Sequence, residues 1–189
     1  MIDIDYFNKC LDVLKNGGTI LFPTDTIWGI GCDATNTNAV DKIYDLKRRD
    51  KSKPMIVLAS DITMIKNYVT QVHPKLETLL QYHTRPLTVI YNHKAGLPNN
   101  VVSKENTIGI RIPQDNFCKE LIASYGKPIV ATSANISNEP FPKKFSDIKS
   151  TLIQKVDFTI PYRQHDDQFL PPSSIVRLSN NEELEFLRE

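Results

Sequence analysis

The chain has 189 residues, of which 40% are hydrophobic and 24% charged, and its formal net charge is +1. This composition is typical of one globular domain over residues 1–189, and the near-zero charge argues against a dedicated nucleic-acid binder. Three cysteines without a Cys-x-x-Cys pair exclude a disulfide framework and a cysteine zinc site. The sequence shows neither a signal peptide nor an apolar run of ~20 residues, so we expect a cytoplasmic protein without membrane contact.

Apolar spacing predicts helices and strands that alternate irregularly along the chain. A helix is predicted over Tyr6–Lys15 and a buried strand over Thr19–Phe22. Asn38 is the predicted N-cap of the second helix, with Asp41 completing a variant capping box. The remaining predictions are strands at 55–58, 87–91, 108–112, 129–131, 156–160 and 174–178, and helices after Asp61, over 116–125 and near 145–153. This order indicates an α/β layered fold around one twisted, mixed sheet.

The first candidate site is the segment Pro23-Thr-Asp-Thr-Ile-Trp-Gly-Ile-Gly31, directly after a strand. Its two threonine hydroxyls and two glycines predict a polar loop whose backbone can approach a ligand closely. A strand-to-helix turn in which the threonines bind backbone donors explains the same residues equally well. It is not a P-loop, because the Gly-Lys-Ser/Thr ending is absent.

The second candidate is the basic segment Lys47-Arg-Arg-Asp-Lys-Ser-Lys-Pro54 at the end of a helix. Cations at a helix C-terminus are favoured by the helix dipole and are often only solvated. Like charges at this density repel each other, however, and a triphosphate would relieve the repulsion through charge-assisted hydrogen bonds. The segment therefore indicates a small polyanionic ligand.

Two further strands carry polar groups. The strand Ile129–Ala131 runs into Thr132-Ser-Ala-Asn-Ile-Ser137, which places hydroxyls and an amide at a carboxyl strand end, the usual ligand crevice of open α/β sheets. A turn with capping hydroxyls is the competing interpretation. Arg111 lies between Ile110 and Ile112, so it faces either solvent or a partner such as a substrate carboxylate.

Together these segments resemble the YrdC-like family of threonylcarbamoyl-AMP synthases. The loop at 23–31 is similar to the family's Pro-Thr-[Asp/Glu]-Thr-x-[Tyr/Phe]-Gly loop, and Lys47-Arg-Arg49 with Lys53-Pro54 is similar to its Lys-x-Arg element. Arg111-Ile-Pro113, Ser133-Ala-Asn-Ile-Ser137 and Pro172-Ser-Ser-Ile-Val176 match three more of its motifs, in the same order.

The resemblance implies a YrdC-like fold with a concave basic cavity. It also implies the joining of L-threonine, bicarbonate or CO2, and ATP into threonylcarbamoyl-AMP and pyrophosphate, with Mg2+ accompanying the triphosphate. The product would serve a tRNA-modifying threonylcarbamoyl transferase complex that makes N6-threonylcarbamoyladenosine, and a weak RNA contact is expected. Residues implied for L-threonine are Thr26, Arg111, Ala131 and Ser173, and those implied for the nucleotide are Lys47, Arg49, Lys53, Thr107, Ser133, Asn135 and Arg188. No protein nucleophile and no protein-built metal site are expected.

Of the places where the chain departs from the family pattern, three put its amino-acid specificity in question. Leu58 stands where many members have histidine, Thr84-Arg-Pro-Leu-Thr88, with Arg85, replaces a Pro-Gly-Pro element, and Pro161-Tyr-Arg163 replaces Gly-Gly. These changes concern the amino acid more than the nucleotide. They leave open a paralogue that carbamoyl-adenylates another acceptor, or a nucleotide- or RNA-binding module without catalysis.

Overall fold

The computed structural model describes residues 3–166 and 171–188, which form a nine-stranded mixed sheet with helices on both faces. The strands are β1 Ile20–Phe22, β2 Gly29–Asp33, β3 Ile56–Leu58, β4 Leu87–Asn92, β5 Thr107–Arg111, β6 Ile129–Ser133, β7 Phe158–Thr159, β8 Ser174–Leu178 and β9 Leu184–Arg188. The helices are α1 Ile4–Lys15, α2 Thr37–Lys47, α3 Ile62–Tyr68, α4 Pro74–Tyr82, α5 Asn116–Tyr125 and α6 Ser150–Ile153, with a 3₁₀ turn at Phe145–Asp147.

The strand order is β7-β1-β2-β6-β3-β5-β4-β8-β9. The pairs β1–β7, β3–β5 and β4–β8 are parallel, and the other neighbours are antiparallel. The mixed sheet inferred from the alternating elements is therefore confirmed. The order inserts β6 between β2 and β3, so that three segments far apart in sequence become neighbours at its centre.

Each face of the sheet has its own apolar core, because successive strand residues point to opposite faces. On one face, α2, α3 and α4 bury residues such as Val40, Ile65 and Leu76 against the sheet. On the other face, α1 and α5 pack over Phe22 and Ile129. These two helices leave part of their face uncovered, and the candidate site lies there.

Several predicted element ends agree with the structure, whereas α1 begins at Ile4 rather than Tyr6 and the N-cap of α2 also differs. Helix α5 has the predicted bounds: Asp115 accepts from the Cys118 amide at its start, and Gly126 ends it with φ 77°. The predicted N-cap Asn38 is wrong. Asn36 caps α2, since its Oδ1 accepts from the Ala39 amide at 3.1 Å, and residue 38 already lies inside the helix.

The sequence analysis missed three elements, namely α4, β9 and β2, and the predicted helix near 145–153 divides into the 3₁₀ turn and α6. Strand β2 was interpreted as loop because of its glycines. A Cβ on Gly31 would lie 2.5 Å from the Val130 carbonyl oxygen and 2.8 Å from the Phe22 ring. This glycine therefore serves close strand packing, and only Gly29 reaches the site.

Candidate functional site

A cavity of about 440 Å³ opens on the uncovered part of the sheet face. Its described lining contains three arginines, several hydroxyl side chains and an apolar floor, and it contains no carboxylate. The lining residues are Thr24, Thr26, Ile27, Gly29, Arg49, Pro54, Met55, Ile56, Leu58, Arg111, Ala131, Thr132, Ser133, Phe141, Pro172, Ser173, Ile175 and Arg188. Such a lining favours a ligand that carries both negative charge and apolar surface.

Strand register gives the cavity two distinct ends. Leu58 pairs with both Arg111 and Ile129, whereas Ile56 pairs with Ala131. Since β6 runs antiparallel to β3, Ser133 lies toward the end of the sheet opposite to Arg111. The hydroxyl of Ser133 and the guanidinium of Arg111 therefore lie on the same face at opposite ends of the cavity.

At one end, Arg111 is held by the loop that precedes β2. Its NH1 donates to Thr26 Oγ1 at 3.0 Å, and its NH2 donates to Asp25 in a buried salt bridge. Thr26 Oγ1 also lies 2.9 Å from the Thr24 hydroxyl, and Asp25 Oδ2 accepts a hydrogen bond from the main-chain amide of Gln114 at 2.8 Å. The loop and the strand thus fix one another.

Arg111 does not face solvent, because only 6% of it is exposed. Of the two interpretations of an arginine between isoleucines, the solvent-facing one is therefore wrong, and the partner observed is Asp25. Its Nε is buried and has no hydrogen-bond partner among the described residues. An unpartnered buried donor of this kind costs free energy.

Lys47 does not lie where a side chain that binds the triphosphate is expected. It is 1% exposed, and its Nζ donates to the carbonyl oxygens of Ser133 at 2.5 Å and Asn135 at 2.6 Å, with Asn135 Oδ1 at 3.2 Å. Burial, with the nearby charge of Arg49, lowers the pKa of Lys47 from 10.5 to about 7. The ammonium lies behind the segment that begins at Ser133, and it is not part of the described cavity lining.

Arg49 is the cation of the basic segment that reaches the cavity. Its Nε donates to the Lys53 carbonyl at 3.0 Å and its NH2 to the Pro54 carbonyl at 2.9 Å, and burial lowers its pKa. The segment is therefore folded around Arg49. The side chain of Lys53 is exposed and outside the cavity lining, so the structure separates the three cations that the sequence placed together.

The segment after β6 presents polar groups at the Ser133 end. Ser133 Oγ donates to Asn135 Oδ1 at 2.5 Å, and the side-chain amide nitrogen of Asn135 donates to the main-chain carbonyl of Glu139 at 2.6 Å. Ala131 and Ser133 line the cavity directly, whereas Asn135 shapes the turn behind it. Asn135 thus fits the turn interpretation, and Ser133 is the residue of this motif that faces the cavity.

Ser173 closes the Arg111 end and is held from two sides. Its hydroxyl lies 2.8 Å from that of Thr88, and both residues are buried. Its carbonyl accepts from Arg188 Nε at 2.9 Å and NH2 at 2.5 Å. Burial, with the charge of Arg111, lowers the pKa of Arg188. Strand β9 therefore brings a third guanidinium to the cavity.

Thr107 is not among the residues that line this cavity. It lies four residues before Arg111 on β5, about 13 Å along the strand, and its hydroxyl is 2.8 Å from that of Ser103. It lines a neighbouring cavity of about 500 Å³ together with Ile90 and Arg177. By register it lies toward the Ser133 end of the face.

The role of Asp25 escaped the sequence analysis. Asp25 pairs with Arg111, and its only signal was its position between the two threonines of the 23–31 segment. In the parts of the chain that the structure describes, no group of three or more His, Cys, Asp or Glu residues could hold a metal ion. No helix within those same parts is long and apolar enough to span a membrane.

Comparison with known proteins places these features in a family. The model of the Sua5, YciO and YrdC proteins, described as "Telomere recombination", matches residues 12–189. The chain is 33% identical, over 92% of its length and 82% of the relative, to a Methanocaldococcus jannaschii protein provisionally named a threonylcarbamoyl-AMP synthase. It is 34% identical to the threonylcarbamoyl-AMP synthase of Bacillus subtilis over 74% of this chain, but spans only 41% of that relative.

Among solved structures, Sua5 of P. abyssi in complex with L-threonine superposes with a TM-score of 0.88. The match covers 100% of this chain and 55% of that one, at 23% identity. At this identity the match shows the fold alone. The YrdC-like fold expected from the motifs is therefore confirmed.

Proposed function

Because the chain belongs to the Sua5, YciO and YrdC family, we propose that it is a threonylcarbamoyl-AMP synthase and hence a nucleotidyltransferase. The reaction consumes L-threonine, bicarbonate or CO2, and ATP, and it releases pyrophosphate. The product supplies a separate threonylcarbamoyl transferase complex that modifies tRNA. The observation that carries the proposal is the two-ended cavity, with a buried arginine at one end and a hydroxyl-bearing segment beside Arg49 at the other.

The amino acid belongs at the Arg111 end. Its carboxylate binds the guanidinium, which lines the cavity. Thr26 and Ser173 offer hydroxyls, and Ala131 offers its backbone. Leu58 adds an apolar wall there, 2% exposed, which suits the methyl group of threonine and offers its hydroxyl no hydrogen bond.

The nucleotide belongs at the Ser133 end. Arg49 contacts the triphosphate, and Ser133 contacts the nucleotide directly. Asn135 and Lys47 act on the nucleotide indirectly, by fixing the segment that follows β6. Lys53 adds positive charge at the rim of the cavity. Thr107 provides the nucleotide contact that lies farthest from Ser133. Arg188 lies level with Arg111 by strand register, where it holds Ser173 and adds positive charge.

The chemistry needs positioning and charge more than a protein nucleophile. The threonine amine adds to CO2 and loses a proton to water, which gives a carbamate. The carbamate oxygen then attacks the α-phosphorus of ATP while pyrophosphate leaves. Arg49 and Arg188 stabilise the negative charge that the triphosphate brings and pyrophosphate carries away. Mg2+ would be held by the phosphates and water rather than by a protein cluster.

The test is pyrophosphate release with ATP, bicarbonate and each amino acid in turn. We expect release that requires bicarbonate and is fastest with L-threonine. Equal release with another amino acid would instead identify a paralogue with a different acceptor. Binding of duplex RNA that weakens steeply with salt, together with no release, would favour the RNA-binding module.

A further inference from the structure

Four charged side chains alternate in sign behind the Arg111 end of the cavity. Arg111 pairs with Asp25 through the buried salt bridge. Asp25 Oδ2 accepts from the main-chain amide of Gln114, and the next residue in the chain is Asp115. Asp115 Oδ2 in turn pairs with Arg163 NH1 at 2.9 Å. We call these four residues the charge row: Arg111, Asp25, Asp115 and Arg163. The row begins at the arginine proposed to bind the substrate carboxylate.

Arg163 reaches the loop at 23–31 from a second, small cavity. That cavity is lined by Thr24 and Thr26 as well as by Arg163. The two threonines also line the larger cavity, whereas Arg163 is not in its described lining. Arg163 NH1 lies 3.5 Å from the Thr24 carbonyl oxygen. The threonines thus lie between Arg163 and a bound amino acid, so Arg163 acts on that amino acid only through the residues between them.

The contacts of Arg163 hold its backbone in an unusual conformation. Its φ angle is 60°, in the left-handed region that few residues other than glycine adopt. Such a conformation costs free energy and persists only where the surroundings fix it. Here Arg163 Nε donates to Asp166 Oδ2 at 2.6 Å, and NH1 donates to Asp115. The two carboxylates therefore fix the guanidinium next to the loop at 23–31.

The charge row is balanced only while Arg163 is present. Asp25 is compensated by Arg111, and the described residues offer Asp115 no ion-pair partner other than Arg163. Burial raises the pKa of the Cys118 thiol, and the charges of Asp115 and Asp25 raise it further. The charge of Arg111 lowers this pKa, so three members of the row lie close to one sulfur atom. Without Arg163, two carboxylates would face one arginine, and a substrate carboxylate would be repelled.

Resting on the function proposed above, we propose that Arg163 is a positioning residue of the amino-acid site. It neutralises Asp115 and thereby preserves the affinity of Arg111 for a carboxylate. Its positive charge matters more than its shape, because its effect on the substrate is electrostatic. The triphosphate binds at the opposite end of the cavity, where distance and solvent weaken the influence of the row. ATP affinity should therefore depend little on Arg163.

The experiment compares Arg163→Met, Arg163→Lys and a double variant that combines Arg163→Met with Asp115→Asn. Asparagine can keep the N-cap of α5 while it removes the negative charge. Titrations measure the affinity for L-threonine and, separately, for ATP. We expect Arg163→Met to bind threonine about tenfold more weakly, because it leaves a like charge unpaired beside the site. Arg163→Lys and the double variant should restore most of the threonine affinity, and ATP affinity should stay the same in all three.

Two single variants complete the comparison. Arg177→Met removes an exposed arginine that pairs with Glu185 and is not in the described cavity lining, and it should leave threonine affinity unchanged. Asp115→Asn alone should bind threonine at least as tightly as the unaltered protein. The proposal is overturned if Arg163→Met keeps full threonine affinity, or if the double variant binds threonine as weakly as Arg163→Met does.

Thermal unfolding shows whether each variant is folded at the temperature of the titration. If Arg163→Met does not fold, Asp115→Asn decides, since weaker threonine binding by that variant would also overturn the proposal. Threonine-dependent pyrophosphate release by the unaltered protein is measured in parallel. If that release is absent while the variants bind threonine as expected, the proposed function fails and the role of Arg163 in amino-acid binding remains.

Discussion

The side-chain nitrogen of Lys47 lies 2.6 Å from the main-chain carbonyl oxygen of Asn135, 88 residues away along the chain. In return, the Lys47 carbonyl accepts from the Ser137 amide at 2.8 Å. Among the described residues, no carboxylate pairs with this buried lysine. The last residue of α2 therefore acts as a clamp on the segment after β6.

Replacing this clamp should cost stability. Lys47→Met keeps much of the volume but leaves the carbonyl oxygens of Ser133 and Asn135 without their donor. We expect unfolding free energy at pH 8 to fall by ~1–3 kcal/mol, the cost of unsatisfied buried acceptors. The matched control is Lys53→Met, an exposed cation of the same segment, which should change stability by less than ~0.5 kcal/mol. Equal urea midpoints for the two variants would contradict the clamp.

The depressed pKa of Lys47 makes its contribution depend on pH. The unfolded chain keeps this proton up to about pH 10.5 and the native protein only up to about pH 7. Between these two pH values, unfolding is therefore accompanied by the uptake of a proton. The contribution of Lys47 to the free energy of unfolding rises with pH across that window. The difference between the unaltered protein and Lys47→Met, from urea unfolding at pH 6 to 10, should grow above pH 7. A difference that falls or stays flat argues against the low pKa.

Arg111 and Arg49 should separate the two substrates. Arg111→Lys keeps the charge but loses the planar fork, so the KM for threonine should rise about tenfold or more with the KM for ATP little changed. Arg49→Lys is the reciprocal variant, for which the KM for ATP should rise and that for threonine should not. Steady-state pyrophosphate release measures both, and unaltered threonine kinetics in Arg111→Lys would remove the carboxylate role.

Arg188 should affect both substrates through different properties of its side chain. Arg188→Ala removes the hydrogen bonds to the Ser173 carbonyl and also a positive charge, so both KM values should rise. Arg188→Lys restores the charge but not the two-point contact, and should recover only the KM for ATP. Recovery of both values by lysine would show that Arg188 acts by charge alone.

The three cysteines should be unreactive in the native protein. Cys10, Cys32 and Cys118 are buried, and burial raises the pKa of each thiol, to about 12 for Cys10. A thiol reagent at pH 8 should label none of them until the protein is denatured. Their triple replacement by alanine should preserve pyrophosphate release at reduced stability. Fast labelling of the native protein would contradict this burial.

The fold was predictable where local chemistry decides the structure. Helix α5 has a capping aspartate, an apolar stripe and a glycine stop, and both of its ends were predicted. The prediction missed strand β2 because its glycines are typical of a loop. The need for a glycine at residue 31 becomes clear only from its close packing against Phe22 and Val130. The prediction missed strand β9 because most of its residues are exposed, and only its pairing with β8 keeps it extended.

The site was predictable as a set of residue types but not as an arrangement. The motifs at 23–31, 47–54 and 133–137 do meet. Nothing in the sequence distinguishes Lys47, which is buried behind the segment, from Arg49, which lines the cavity. That difference depends on which side of the last turn of α2 faces β6. Likewise, the pairing of Asp25 with Arg111 depends on a contact between segments 86 residues apart.

The insertion of β6 between β2 and β3 has a kinetic consequence. Gly29 pairs with Ser133 and Ile56 with Ala131, so the centre of the sheet closes only when distant parts of the chain meet. Contacts of such long sequence separation slow folding. Both ends of the cavity depend on them, so we expect the binding site to be unassembled in the folding transition state. Ligands should therefore slow unfolding of the finished protein while leaving its folding rate nearly unchanged.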